Sequence, residues 1–330
     1  MTDESNKLAL KSQDTEEWLD TVYTRPLGLL WARFFNLFDI HPNVITILSM
    51  IIGVVSSYFF FHDADTTTGL IYNIIGVLLL SWANIYDSAD GQLARMTGKK
   101  TQLGRILDGV AGDAWFFFIY VALFLRMFDK PLFAIEGKSL LSSFSPVFDD
   151  IHWGWGGLIL VIFIGFVCHA RQCGLSDYYR NIHMYFVKGK SGSELDSYQQ
   201  QKELYNKTKW RDQFIWKFFL FFYVRYTKSQ ESQTPQFQNL RRVIDERYGD
   251  DIPSELRNKF REYSLPLMKW ANILTFNTRA IVLYISCVID IPWIYLMFEL
   301  FVLTALYFYM RHKHESACKH ISVLISENRL

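Results

Sequence analysis

Hydrophobic positions along the chain fall into long runs rather than into strand-like alternation. Six runs, at about 44–61, 70–85, 115–128, 155–168, 271–289 and 293–310, are apolar enough to enter a bilayer. A helix needs about 20 residues to cross one. The second, third and fourth runs reach that length only if the polar residues at their ends stay helical. The pattern therefore predicts an all-α polytopic membrane protein of about six transmembrane helices.

Two further stretches are helical but differently patterned. Residues 15–38 carry Trp18, Leu19, Val22, Leu29, Leu30, Trp31, Phe34, Phe35 and Phe38, interrupted by Pro26. They predict an amphipathic helix lying on the membrane surface, with Asp14 and Glu17 spaced to cap its start. Residues 176–266 are mostly hydrophilic and predict a helical cytoplasmic insertion. Within it FIWKFFLFFYV, 214–224, is too short to span comfortably and reads as an interfacial or core helix. The expected division is a tail with the surface helix (1–39), catalytic membrane helices (40–175), the insertion (176–266), the last two membrane helices (267–312) and a tail (313–330). No internal repeat is evident.

Lysine and arginine set the expected orientation. Arg25 and Arg33 precede the first run. Arg95, Lys99, Lys100 and Arg105 join the second to the third, and Arg311, Lys313 and Lys319 follow the sixth. HDADTTT after the first run and Asp290 between the last two are poorer in positive charge, and the loop after the third is mixed, with Arg126, Lys130 and Lys138. Both termini are expected on the cytoplasmic side. The polar N-terminus predicts no cleavable signal peptide.

Composition changes this picture little. With 330 residues, 50% hydrophobic, 17% aromatic and 20% charged, the chain is neither disordered nor collagen-like. A mean hydropathy of +0.07 averages long apolar runs against a charged insertion. The net charge of +1 argues against a nucleic-acid partner. Cys168, Cys173, Cys287 and Cys318 form no CxxC pair and read as packed or free thiols.

The chemistry is concentrated between Asn84 and Asp113, at the facing ends of the second and third membrane helices. Asp87 and Asp90 are three residues apart and share a helix face. A turn near Thr97 to Thr101 reverses the chain, and Asp87 lies about as far before it as Asp108 lies after it, so Asp90 and Asp108 can face each other. Carboxylates gathered at the end of a membrane span repel one another, and the repulsion is relieved by protonation or by cations. Hard oxygen ligands suit Mg²⁺ or Mn²⁺, and two such ions can clamp a phosphate chain for in-line displacement. Gly91, Ala94 and Gly104 remove bulk where a ligand or a neighbouring helix comes close, and Arg95 can offset phosphate charge. The plainer alternative is a solvated helical turn whose acids lie outside the membrane.

This segment resembles the CDP-alcohol phosphotransferase (CDP-alcohol phosphatidyltransferase) family, whose pattern is D-x2-D-G-x2-A-R-x8-G-x3-D-x3-D. Asp87, Asp90, Gly91, Ala94, Arg95, Gly104 and Asp108 match it with every gap kept. HPNVIT, residues 41–46, and the six-span layout are similar as well. The resemblance covers about 40–168 well and the remainder only by span count. It departs at the last Asp, where position 112 is Gly112 and Asp113 follows one residue late. On a regular helix that moves the carboxylate by about 100°. A π-bulge near Gly109 and Gly112 would restore the register.

The resemblance implies metal-dependent transfer of a phosphatidyl group from a CDP-linked lipid, CDP-diacylglycerol above all, to a polar hydroxyl acceptor, with CMP released, in phospholipid biosynthesis at the cytoplasmic membrane face. It implies two ions, Mg²⁺ or Mn²⁺, held by Asp87, Asp90 and Asp108 with help from Asp113, the latter also the general base, and a homodimer. Gly91, Ala94, Arg95 and Gly104 would contact or accommodate the cytidine diphosphate. A phosphorylated acceptor such as inositol phosphate would call on Arg105, on Arg171 beside His169, or on Arg279. Arg279 is equally placed to pair with Glu299. Three alternatives stay open: transfer of a phospho-head group from a CDP-alcohol to a lipid hydroxyl, a catalytically degenerate membrane scaffold, and an ion-binding transporter. Against the last, the acids gather at one edge, with no matching pair of broken helices.

Overall fold

The computed structural model describes residues 14–189, 195–249, 251–327 and 329. Six helices are long and apolar enough to cross a membrane: Pro42–Phe60, Thr67–Thr97, Gln102–Met127, Gly154–Lys188, Ser254–Val288 and Trp293–Ser326. The protein is an all-α integral membrane protein. The second, third and fourth of these extend well past their apolar runs, so the polar ends are indeed helical. Thr67–Thr97 alone, at 31 residues, is about 46 Å long, longer than a hydrocarbon core of about 30 Å. One end must project, and 87–97 is its polar end.

The chain forms two compact units, Met1–Ala170 with Phe276–Val302, and Arg171–Thr275 with Leu303–Leu330. In the first unit a π-turn, Asp20–Thr24, leads into α1 (Arg25–Leu37). Glu17 accepts a 2.7 Å hydrogen bond from Asn277 Nδ2. Three membrane helices follow, α2 (Pro42–Phe60), α3 (Thr67–Thr97) and α4 (Gln102–Met127). Their starts are encoded locally. His41 accepts from the Asn43 amide with Pro42 at the first helical position, Thr66 accepts from Gly69 and Thr101 from Gly104. Gly98, at φ +71°, ends α3 in the left-handed conformation.

These helices pack closely through small residues. A Cβ on Gly53 of α2 would lie 2.2 Å from the Trp115 ring of α4, and Trp115 Nε1 donates to the Ser49 carbonyl at 3.1 Å. A short hairpin of β1 (Ala134–Ile135) and β2 (Lys138–Ser139) follows α4. The far end of the bundle is tied by Arg126, a fully buried guanidinium. It donates to the carbonyls of Phe60 and Cys287, to Asn73 Oδ1 and to Asp290 Oδ1, the last at 2.6 Å. Arg126 and Lys130, which made the third loop look mixed in charge, are thus engaged with Asp63 and Asp290.

The fourth span, α5 (Gly154–Lys188), contains a π-turn at Ile164–His169. The second unit is built from the later part of α5 with α6 (Tyr198–Lys207), α7 (Phe214–Gln233), α8 (Pro235–Tyr248) and α9 (Ser254–Ile273). α10 (Phe276–Val288) returns to the first unit, and α11 (Trp293–Ser326), with a π-turn at Phe298–Leu303, closes the chain. Among the described residues α7, which holds 214–224, does not meet the length and apolarity of a span.

Candidate active site

Asp87, Asp90 and Asp108 each present a carboxylate oxygen, and these atoms lie within 4.8 Å of one another. The convergence is between helices: Asp87 and Asp90 sit one turn apart near the end of α3, and Asp108 sits in the second turn of α4. The tight turn at Gly98 and the cap at Thr101 bring the two ends together. Asp90 is buried, Asp87 half-buried and Asp108 exposed. Thr46 of α2 donates from its hydroxyl to Asp90 Oδ2 in a short contact.

Asp87 and Asp108, but not the buried Asp90, face a cavity of about 170 Å³ lined by Asp20, Thr24, Arg25, Asn84, Asp87, Ser88, Gly91, Arg95 and Asp108. Asn84, Ser88, Gly91 and Arg95 follow one another at three- and four-residue steps, so they form a single stripe of α3. The opposite wall comes from the start of the N-terminal helix. It is held there by Gln92 Nε2, which donates to the Arg25 carbonyl at 3.0 Å, and by Asn277 Nδ2, which donates to Asp20 Oδ1 at 2.8 Å. Gly28 makes the approach possible, since a Cβ there would lie 2.9 Å from Ser88 Oγ. Arg25 also pairs with Glu16 at 3.0 Å.

Two glycines of the motif have different surroundings. A Cβ on Gly91 would meet Arg95 Nη1 at 3.4 Å, an ordinary contact at the cavity wall. A Cβ on Gly104 would lie 2.8 Å from Asn43 Oδ1, so this glycine makes room for the start of α2. Ala94 is half-buried one turn beyond Asp90, and Arg105 is half-buried on α4; neither lines the cavity. Arg171 belongs to the second unit.

Asp113 stands apart from the three clustered acids. The expected π-bulge is absent, because α4 is α-helical throughout. Nothing lies within 4 Å of a Cβ built on Gly109 or Gly112, so no packing contact forces an extra residue into the turn. Five residues of regular helix turn Asp113 about 140° away from Asp108. Its side chain is exposed, with His169 within electrostatic range.

Arg279 takes the ion-pair arrangement. It is fully buried, its Nη1 is 2.6 Å from Glu299 Oε1, and it does not line the cavity. Glu299 also accepts from Tyr120 at 2.7 Å and from Tyr295 at 2.5 Å, and His169 Nδ1 lies 3.0 Å from the Tyr120 hydroxyl. His169 and Glu299 both sit in π-turns. The buried charges are therefore paired and hydrogen-bonded, as such charges must be inside a membrane.

Sequence reasoning missed Asp20, Thr24, Arg25, Asn84 and Ser88. The α3 members had a signal, their helical spacing from Asp87; Asp20, Thr24 and Arg25 had none, because their place depends on how α1 docks. Thr46 lies within HPNVIT, but its contact with Asp90 could not be read from it.

Three hard carboxylate ligands converging beside two arginines suit a divalent cation and a phosphate-bearing ligand. Residues 39–137 match the family model described as CDP-alcohol phosphatidyltransferase, a family that takes a CDP-alcohol donor and an alcohol acceptor and transfers a substituted phosphate group. No match was found among curated proteins or among solved structures. The matched segment, residues 39–137, holds the whole acidic cluster, and the match supports the CDP-alcohol phosphatidyltransferase family.

Proposed function

We propose that the protein transfers a phosphatidyl group from CDP-diacylglycerol to the hydroxyl of a polar alcohol, releasing CMP. The observation that carries this reading is the convergence of Asp87, Asp90 and Asp108, two of which, Asp87 and Asp108, line a cavity together with Arg25 and Arg95. The donor set fits Mg²⁺ or Mn²⁺: all the ligand atoms are hard oxygens, and their spacing admits one ion shared by the three or two neighbouring ions. Such ions, when bound, neutralise phosphate charge and hold the reacting phosphate in line.

The remaining roles belong to the chain. Arg95 and Arg25 offset the charge of the pyrophosphate, and Gly91 and Ala94 leave the α3 face low enough for the cytidine diphosphate to lie against it, while Gly104 keeps α2 and α4 close. The acceptor oxygen forms a bond to the phosphorus next to the lipid as the bond from that phosphorus to the CMP oxygen breaks. Asp113 is assigned the acceptor proton from the family resemblance alone, since on the regular helix its side chain faces away from the cluster. Arg105 is the basic candidate for a phosphorylated acceptor, and Arg171 enters this reading from the sequence alone. The Lys and Arg distribution supports a cytoplasmic orientation of both termini and the active site, and a homodimer is what the family resemblance implies.

Purified protein supplied with CDP-diacylglycerol and a panel of alcohols and alcohol phosphates should release CMP with at least one of them, in the presence of Mg²⁺ or Mn²⁺ only. A second reading is favoured by the position of Asp113 on a regular helix: a membrane scaffold that keeps the cluster without turnover. It would bind Mn²⁺ and release no CMP with any acceptor or CDP-linked donor.

A further inference from the structure

The second unit contains a second group of side chains able to hold a metal, of a different chemical kind. His314, Glu315 and Cys318 lie on α11, and one nitrogen, one oxygen and one sulfur from them fall within 4.8 Å of each other. Cys318 is three residues from Glu315 and four from His314, so both stand one turn from it on the same helix. His314 and Cys318 are buried, at 2% and 0% exposure.

The spacing is that of a coordination shell. A tetrahedral ion with bonds of ~2.3 Å to sulfur, ~2.05 Å to nitrogen and ~2.1 Å to oxygen sets N···S at ~3.6 Å and N···O at ~3.4 Å. His314 Nδ1 is 3.6 Å from Cys318 Sγ and 3.8 Å from Glu315 Oε1. The surroundings prepare the same point. The Gln236 amide donates to Glu315 Oε2 at 2.7 Å, which fixes the carboxylate and leaves Oε1 turned toward the imidazole. The Tyr179 ring stacks on His314 with centroids 3.9 Å apart, and Phe237 and Phe260 flank it at 6.1 Å.

Two observations are left over if the group is only a hydrogen-bonded pair. A Cys318 thiol donating to His314 Nδ1 satisfies those two atoms alone. Among the described residues Glu315 Oε1 and the hydroxyl of Tyr179, itself 1% exposed, are buried with no hydrogen-bond partner. Buried oxygens without partners are costly. A dication with one carboxylate, one thiolate and a neutral imidazole is a neutral assembly, which suits a dry interior.

We infer that His314, Glu315 and Cys318 bind a borderline divalent transition metal ion, Zn²⁺ by preference, with the fourth position left to a small oxygen ligand beside Tyr179. Binding converts the Cys318 thiol to a thiolate and releases its proton to solvent. The mixed nitrogen, oxygen and sulfur set selects against Mg²⁺, so this site and the all-carboxylate cluster take different ions.

Cobalt is the probe, because a thiolate ligand gives Co²⁺ an intense charge-transfer band that carboxylates do not. Full-length protein in detergent, titrated with Co²⁺ in excess Mg²⁺, should develop this band to one equivalent per chain and lose it on addition of Zn²⁺. Cys318→Ser should abolish the band and His314→Ala should weaken Co²⁺ binding at least tenfold, with CMP release not used as a readout. A chain that shows no thiolate band, or a band that survives Cys318→Ser, overturns the inference. If a variant does not fold, wild-type protein decides: Zn²⁺ should slow alkylation of Cys318, mapped by mass spectrometry, and an unchanged rate overturns it. The proposed transferase reaction stands or falls separately, since its cluster lacks sulfur.

Discussion

Thr46→Val tests whether the hydroxyl on α2 prepares Asp90 for a cation. Valine keeps the β-branched shape and removes the one side-chain donor shown to Asp90, a carboxylate only 4% exposed. The hydroxyl also lies 3.3 Å from the Pro42 carbonyl, but it has one proton and the Asp90 contact is the shorter. Hydrogen bonds to charged groups contribute about 1.5–3 kcal/mol, equivalent to about 10–100-fold in an equilibrium constant. The carboxylate itself remains, so the loss should fall on metal affinity, where removing a group that orients a ligand costs about 10–100-fold. The assay is CMP release against Mg²⁺ or Mn²⁺ concentration. The half-activating concentration should rise by about that factor, with turnover at saturating metal within about threefold of wild type, because all three carboxylates are intact. Thr46→Ser restores the donor without the methyl and should recover most of the shift. An unchanged metal curve for Thr46→Val would refute the reasoning. So would an equal defect in Thr46→Ser, which would mean that volume rather than the hydroxyl matters.

Asp87→Asn, Asp90→Asn and Asp108→Asn should each lower metal-dependent CMP release by at least about 10³-fold, since each removes one of three converging charges; a near-normal rate in any one excludes it from the metal site. Asp113→Asn should remove most turnover, by about 10²–10⁴-fold for a lost general base, while equilibrium binding of the CDP-linked donor is retained. A fully active Asp113→Ala would send the search for the base elsewhere, and partial recovery on adding Gly112→Asp would identify the helix face that the acceptor approaches. Gly28→Leu should lower CMP release at least about tenfold by pushing α1 off Ser88 and with it Arg25 from the cavity, an ångström-scale displacement of a positioning group; unchanged activity would show that Arg25 is not needed there. Asp290→Asn should lower the unfolding free energy by about 1–3 kcal/mol, discounted from the buried-pair value because the carboxylate is partly exposed. Asn tolerates the left-handed backbone at this position, φ +58°, so the charge is what changes. Burial pushes the Asp290 carboxyl up, but Arg126, the Ala64 amide and Lys130 together hold it below the usual value. A depressed carboxylate stabilises fully above its unfolded pKa of about 3.9 and loses that contribution as pH falls through the folded value. Wild type and variant should therefore converge in acid, and a difference that persists undiminished at low pH would contradict the ion-pair origin.

What was legible in the sequence was local. The gaps between Asp87, Asp90 and Asp108 are set by helical rise and by one turn, so counting residues sufficed to predict their meeting. The positions of the apolar runs were equally readable. Their true ends were not, because a polar helix such as 87–97 has no hydrophobic pattern to follow and is held by contacts made elsewhere. The choice between partners for Arg279 was undecidable for a related reason: Glu299 reaches it through a π-turn, and one extra residue in a turn changes which face a side chain occupies. The same uncertainty affected the bulge expected before Asp113, where two glycines permitted a distortion that nothing in the packing calls for and that α4 does not show.

The residues that assemble the cluster are mostly not the ones with chemistry. Gly104 was legible as a small residue but not for its purpose, which is to admit Asn43 and so bring the start of α2 against α4. That approach puts α2 where Thr46, one turn past Pro42, meets Asp90. Gly28 does for α1 what Gly104 does for α2, and it carries no motif. A chain could keep all three aspartates at the family spacing and still lose the site if either glycine gained a side chain. The fixed gaps of the motif specify one helical hairpin; convergence on a ligand further requires α1 and α2 to dock against it. Glycine-to-leucine changes at 28 and 104 should therefore damage catalysis while leaving every acid in place, and comparing their metal curves separates the two contributions. Displacing α2 removes the support of Asp90 and should raise the metal requirement, whereas displacing α1 removes Arg25 and should raise the requirement for the CDP-linked donor.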